Sequence, residues 1–228
     1  MGAAAELHRA FNQGDAKGFD FDRGGRLSTS DGARGYLQLP AAQRLVLLID
    51  QEPVVEIDIK SCHPTILYAL SKQPLPEHDL YHVEGIPREV VKTFIVVMSG
   101  SGSTKLKRWP DGAKGAFIEA LQREGPVAAY RFDKLYPLKE VIDRIVRAIP
   151  PLQMLQKGRL DWAKLQYLES QVIVAAMLRC SRELGAPSLP VHDSLFVPAK
   201  VAAEADAILK EEFQRVTGYR HFTIINQR

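Results

Sequence analysis

The chain is poor in cysteine, in net charge and in long apolar runs. Cys62 and Cys180 are its only two cysteines. That excludes a disulfide framework and the paired-cysteine pattern of a structural zinc site. A reducing, cytoplasmic setting is expected. The formal net charge of +3 permits nucleic-acid binding without requiring it. The longest apolar runs, such as 45–49 and 94–98, fall far short of the roughly 18 residues that span a bilayer, so no membrane partner is expected. The start, Met1-Gly2-Ala3-Ala4-Ala5-Glu6, lacks a basic segment followed by a long apolar one, so no export leader is expected. The stretch Gly100-Ser101-Gly102-Ser103-Thr104-Lys105 has glycine and hydroxyls, but no glycine followed by lysine and then serine or threonine. It therefore fails as a phosphate-binding P-loop. What it offers, with Lys105, Lys107 and Arg108, is a flexible basic loop able to touch a nucleic-acid backbone.

What is present is organised around Val54-Val55-Glu56-Ile57-Asp58-Ile59-Lys60-Ser61-Cys62-His63-Pro64. Valine and isoleucine favour a strand that ends near Asp58, and Pro64 suits the first turn of a helix running to Leu70. A carboxylate at the end of a rigid strand suits a metal ligand, although a cap or turn aspartate has the same appearance. Upstream, residues 1–18 read as a short Ala-rich helix. Gly24-Gly25 lies between Arg23 and Arg26, a pattern that lets a backbone approach a ligand while arginines fork onto phosphate or base edges. Arg44 to Ile49 reads as a strand or short helix. Pro87 to Met98 reads as a helix with Arg88 and Lys92 on one face, followed by a loop from Ser99. Ala113–Glu124 and Pro137–Ala148 read as helices. Leu160–Leu184 is a long helical pattern carrying Glu169 and Gln171, where a glutamate is ordinarily solvated. Two strands flank His192-Asp193-Ser194, and Val201–Val216 is an amphipathic helix.

Asp58 and Asp193 are thus two strand-borne carboxylates from distant parts of the chain. Such a pair can hold two magnesium ions about 3.5–4 Å apart, the arrangement used for nucleotidyl transfer.

In order along the chain, these segments resemble the polymerase domain of family A DNA polymerases, with single-subunit phage RNA polymerases as more distant relatives. Gly25-Arg26-Leu27-Ser28-Thr29-Ser30-Asp31 is similar to the family's T-G-R-L-S-S-x-D segment, and Leu37-Gln38-Leu39-Pro40 to the L-Q-N-I-P that follows it. Asp58 stands at motif A, Arg88 and Lys92 at motif B, and Val191-His192-Asp193-Ser194-Leu195 at motif C. The resemblance implies an α+β fold. An antiparallel palm sheet bearing Asp58 and Asp193 packs on helices, and a reduced helical fingers insertion interrupts it. The implied division is 1–73 (tail and first part of the palm), 74–160 (fingers-like insertion) and 161–228 (second part of the palm).

The same resemblance implies the roles. Asp58 and Asp193, with the Ile59 carbonyl, ligate two Mg2+ ions, for which Mn2+ substitutes. Arg88 and Lys92 neutralise the triphosphate of an incoming deoxynucleotide, and His63 stands beside its sugar. His192 contacts the phosphate near the primer end, Arg26 reaches the minor groove at the primer terminus, and Glu169 or Gln171 touches template or primer. The implied partners are a DNA primer-template and deoxynucleoside triphosphates.

Three departures bear on this. His63 stands where family DNA polymerases carry the glutamate that excludes a ribose 2′-hydroxyl. Val96 and Gly100 stand where the fingers helix carries aromatics, one of them a stacking tyrosine. Only about 20 residues precede the Gly-Arg-Leu-Ser segment, where the family has its thumb, so a protein partner or oligomer is expected to supply the grip on the duplex. An RNA-synthesising primase or polymerase, or a non-catalytic nucleic-acid-binding relative, fits the same motifs.

Overall fold

The computed structural model describes residues 6–29, 35–124, 132–220 and 223–226. Ser30 and Asp31, the end of the Gly-Arg-Leu-Ser segment, lie outside them. The fold is α+β. The chain divides into two compact units, Met1–Ile66 with Ala163–Arg228, and Leu67–Trp162.

In the first unit, β1 (Leu7–Phe11) pairs antiparallel with β2 (Gly24–Thr29). The helix expected over 1–18 is not formed in the described part. A helix confined to so few residues is marginal. Alternation puts Leu7, Arg9 and Phe11 on the half-buried side of the ribbon. The glycine pair does not make room for a ligand. Gly24 and Gly25 have φ of +74° and +77°, and a Cβ on Gly24 would collide with Asn12, on Gly25 with Arg9 and the Phe11 ring. The space is needed by the ribbon's own neighbours.

A short helix, α1 (Ala41–Arg44), leads to β3 (Leu48–Ile49). The run from Arg44 to Ile49 is therefore divided between the end of a helix and a two-residue strand. Asp50 and Gln51, with φ of +51° and +66°, turn it into β4 (Glu52–Ile59), as a two-residue hairpin loop with both residues left-handed does. Next comes α2 (Cys62–Ser71), which starts in the first unit.

The second unit contains α3 (Arg88–Ser101), α4 (Ala113–Glu124), α5 (Phe132–Leu135) and α6 (Leu138–Ala148). Its interior is aromatic: Phe94, Trp109, Phe117, Phe132 and Tyr136 form a chain of edge-to-face and tilted contacts with centroids 4.7–6.3 Å apart. The loop expected from Ser99 begins three residues later, because Met98 and Ser99 are buried and hold the last turn of α3 in place. Gly102 ends the helix in the left-handed region, its N–H bonded to Met98 and Ser99. A Cβ there would lie 2.4 Å from the Lys157 backbone, so only glycine fits.

The first unit resumes with α7 (Trp162–Glu183), β5 (Leu189–Val191), β6 (Ser194–Pro198), α8 (Ala202–Thr217) and β7 (Thr223–Asn226). The main sheet runs β3-β4-β6-β5, with β7 also on β4, and all pairings are antiparallel. In β4 successive side chains alternate between faces. Val55, Ile57 and Ile59 are buried on one face, in register with Val197 and Leu195 of β6. The helix α8 packs on β4, β6 and β7 through an apolar stripe of Ala205, Ile208, Leu209 and Phe213. On the other face Val54, Phe196, Val191 and Ile49 form a second cluster, covered by Tyr36, Leu37, Leu45, Leu47 and Leu189. Glu56, Asp58 and Ser194 continue that second face toward the far end of the strands.

Candidate active site

Asp58 and Asp193 are brought to one end of this sheet by backbone pairing alone. Asp58 is opposite Ser194, and the Ile59 N–H donates to the Asp193 carbonyl at 3.1 Å. Asp193 sits in the two-residue turn between β5 and β6, where His192 has a φ of +54°. A non-glycine residue there is uncommon and needs support from its surroundings. Ser194 gives that support, its hydroxyl donating to the Val191 carbonyl and to Glu56 Oε1, both at 2.9 Å. On the other side, Ser61 has a φ of +52° and swings the chain from β4 into α2. Helical spacing then turns Cys62, Ile66 and Ala69 inward, all buried.

The long helix α7 contributes a third carboxylate. Glu169 is only 1% exposed, contrary to the expectation of a solvated glutamate. Its burial is compensated by Arg26 of β2, whose Nε and Nη2 donate to Oε1 and Oε2 at 2.5 and 2.7 Å. His63 Nε2 lies 3.1 Å from Oε2, an ion-pair approach whose angle falls short of a hydrogen bond. The ribbon is tied to the same helix. Arg9 donates to the Gly25 carbonyl at 2.8 Å and to Ser170 Oγ at 3.0 Å.

Burial pushes the Glu169 carboxyl up, but His63 and Arg26 outweigh it and hold the group below its ordinary value. Burial would lower Arg26, and the paired hydrogen bonds to Glu169 instead raise it. Asp193 has no such compensation. Burial, then the Glu169 charge, push its carboxyl up despite Arg26 and His63. Burial and then the charges of Glu169 and Asp193 push the Cys62 thiol well above its usual range. Cys62 Sγ and one carboxylate oxygen each of Glu169 and Asp193 all lie within 4.8 Å of one another. The end of the sheet therefore carries an excess of negative charge that Arg26 and His63 only partly offset. It can hold a cation.

The other sequence-derived candidates are distributed as follows. His192 is exposed. Gln171 is half-buried and, two residues beyond Glu169, points away from it, because helix neighbours two apart do not share a face. Arg88 and Lys92 belong to the second unit and are exposed on α3. Val96 and Gly100 continue their stripe at intervals of four, opposite the buried Val90, Val91, Phe94, Ile95 and Met98. Arg88 donates to Asp79 at 2.6 Å and to Glu89 at 3.2 Å and stacks over Tyr81 at 4.9 Å. Sequence reasoning missed Cys62 as a member of the acidic cluster. The signal was available in its spacing from Ile66 and Ala69, which puts it on the buried stripe of α2.

The fold and site thus define an α+β protein with sheet-end carboxylates. No protein-family model matches the chain, and no curated protein matches it. Among solved structures it is similar to the POL domain of Pol1 from M. smegmatis, determined in complex with DNA primer-template and dNTP. The identity is 10% and the TM-score 0.43, over 89% of this chain and 45% of that one. The chain thus spans less than half the length of that structure, and a similarity this low fixes neither fold nor chemistry.

Proposed function

We propose that the chain is a template-directed nucleotidyltransferase, a DNA polymerase of minimal family A-like palm and fingers type, acting on a DNA primer-template with deoxynucleoside triphosphates. The observation that carries the reading is the pairing of β4 with β6, which sets Asp58 and Asp193 side by side at one sheet end. The donor set fits hard divalent cations, which take carboxylate oxygens and keep water and phosphate in the rest of their shell. Asp58 and Asp193 are the residues that would hold them, with the Ile59 carbonyl beside them. When bound, a pair of such ions supplies activation of the attacking hydroxyl and stabilisation of the leaving pyrophosphate.

The protein's own residues do the rest. Asp58 near the end of β4 and Asp193 in the turn before β6 are carried on backbone already paired before substrate arrives, so little reorganisation is needed at the moment of reaction. Arg26 and His63 hold Glu169, which keeps the net charge around Asp193 negative and attractive to cations. Arg88 and Lys92, one turn apart on an exposed helix face, present two positive charges to a triphosphate. His192, left-handed and exposed in the turn, is the residue proposed to meet a phosphate of the primer strand.

The test is primer extension with Mg2+ or Mn2+, run separately with dNTPs and rNTPs and with and without a primer. Incorporation by wild type and its loss in Asp58→Ala is expected. Equal extension by Asp58→Ala would remove the assignment. A preference for rNTPs would move the reading to RNA synthesis, which the His63 imidazole at the sugar-facing position favours over the glutamate of DNA-specific relatives.

A further inference from the structure

We propose that Cys62, Glu169 and Asp193 form a binding site for one thiophilic divalent cation, zinc or cobalt, with the Cys62 sulfur as its distinguishing ligand. The three ligand atoms already lie within 4.8 Å of one another. Zinc bonds of about 2.3 Å to sulfur and 2.0–2.2 Å to oxygen set tetrahedral ligand atoms roughly 3.6 Å apart. A cation there shares the Glu169 carboxylate with Arg26, which now holds both of its oxygens.

A second observation points to a ligand independently of the acidic pair. The Cys62 side chain is 3% exposed and makes no hydrogen bond among the described residues. Its sulfur faces one carboxylate oxygen each of Glu169 and Asp193, an arrangement that suits a shared cation better than a bare thiol among like charges. The thiolate and the carboxylates of Asp58, Glu169 and Asp193 outnumber the one Arg26 guanidinium, and a divalent cation reduces that excess of negative charge. On binding, the S–H bond breaks, its proton passes to the buffer, and the freed electron pair forms the metal–sulfur bond.

The sulfur sets the selectivity. Magnesium takes oxygen ligands and keeps its waters, whereas zinc and cobalt accept thiolate and carboxylate together. Asp193 belongs both to this site and to the pair proposed for catalysis. Resting on that reading, one consequence is that zinc competes with magnesium and slows primer extension.

The two cysteines make the test internally controlled. The metal-free full chain is titrated with Co2+ in the absence of nucleotide and DNA, and the near-ultraviolet sulfur-to-cobalt charge-transfer band is recorded. Wild type and Cys180→Ser are expected to develop the band with one equivalent, and Cys62→Ser to lack it with unchanged far-ultraviolet circular dichroism. Asp193→Asn, which keeps the thiol, is expected to bind cobalt at least about tenfold more weakly, as loss of a charged ligand entails. A folded wild type without the band, a band that survives in Cys62→Ser, or undiminished cobalt affinity in Asp193→Asn would each overturn the site. The polymerase reading is judged separately, because the band needs no turnover. Band without primer extension sinks that reading and leaves the site standing. Extension without the band does the reverse.

Discussion

Glu169 and Arg88 are both paired with opposite charges, yet they stand in opposite environments. Glu169, 1% exposed, is held by a forked arginine in the first unit. Arg88, with its side chain 48% exposed, is held by Asp79 on the solvent side of a helix in the second. Water screens the second pair and not the first. The negative side of the proposed chemistry is therefore built into the folded core of one unit, and the positive side lies on the surface of the other. Substitutions in the first unit should change stability and activity together, and those in the second should change activity alone.

The largest effect expected from this contrast is at the metal-binding carboxylates. Asp58→Ala and Asp193→Asn should each lower the rate of nucleotide incorporation by about 10³-fold or more, since several kcal/mol of charge stabilisation are lost at about 1.4 kcal/mol per tenfold. The stability of Asp193→Asn should move the other way. The carboxyl of Asp193 is raised in the folded state, so any stability it gives is present below its ordinary range and lost as pH rises through the folded value. At neutral pH the metal-free wild type thus carries a penalty that asparagine removes. A higher Tm for Asp193→Asn at pH 7, shrinking as the pH falls toward about 4, is the expected result in thermal scans without metal. A lower Tm throughout would show that the charge at the sheet end is already balanced.

Glu169→Ala sharpens the contrast from the other direction. It leaves the largely buried Arg26 guanidinium without its partner, a change that costs about 3–5 kcal/mol and on the order of 10 °C in Tm for a chain of this size. Glu169 is held below its ordinary value, so its contribution is present at neutral pH and is lost as pH falls through the lowered value. Wild type and Glu169→Ala should therefore converge in stability under acid. A parallel pair of stability curves down to low pH would show that the ion pair does not carry the difference.

These two regions also differed in how far the sequence made them legible. The strands around Asp58 and Asp193 could be read because apolar residues, valine and isoleucine before Asp58 and leucine and valine before His192, run up to a polar turn, and the motif order supplied the pairing. In the second unit α3, α4 and α6 were read as helices from the sequence, whereas the four-residue α5 was not. The β1–β2 ribbon was not legible. Its five-residue strand follows an Ala-rich stretch, and what decides it is a partner 13–22 residues away (Phe11↔Gly24 to Leu7↔Thr29) together with Asn12 and Phe11 against the glycines. Glu169 was read as solvated because nothing local to α7 announces Arg26, 143 residues earlier in the chain. Long-range charge pairing leaves no periodic trace. The end of α3 was placed early for the opposite reason. Gly100 and Gly102 look alike in sequence, but only Gly102 is pressed against a backbone.

In the second unit Arg88→Ala and Lys92→Ala should raise the KM for the nucleotide roughly tenfold, the equivalent of about 1.4 kcal/mol. Stability should stay within about 0.5 kcal/mol of wild type, as for most surface substitutions. Steady-state kinetics beside thermal scans checks both halves. A large fall in Tm for either variant would break the contrast between the units.

The smallest effect is the most specific. Asp79 occupies the guanidinium that a triphosphate is proposed to take, donating nothing and accepting from Arg88 Nε at 2.6 Å. The hydrogen bond that Arg88 donates to Asp79, more than the Asp79 charge alone, raises Arg88 above its ordinary value. A nucleotide must compete with this internal carboxylate. An exposed pair of this kind contributes about 0–1 kcal/mol, so removing the charge should lower the nucleotide KM by no more than about fivefold. Asp79→Asn is the suitable change, because asparagine keeps an oxygen for the Tyr81 N–H that Asp79 now accepts at 3.2 Å. The effect should vanish in the Arg88→Ala background, where Asp79 has no guanidinium to withhold from a nucleotide. If Asp79→Asn weakens nucleotide binding instead, Asp79 steers Arg88 toward the substrate, and the surface pair of the second unit is as preorganised as the buried pair of the first.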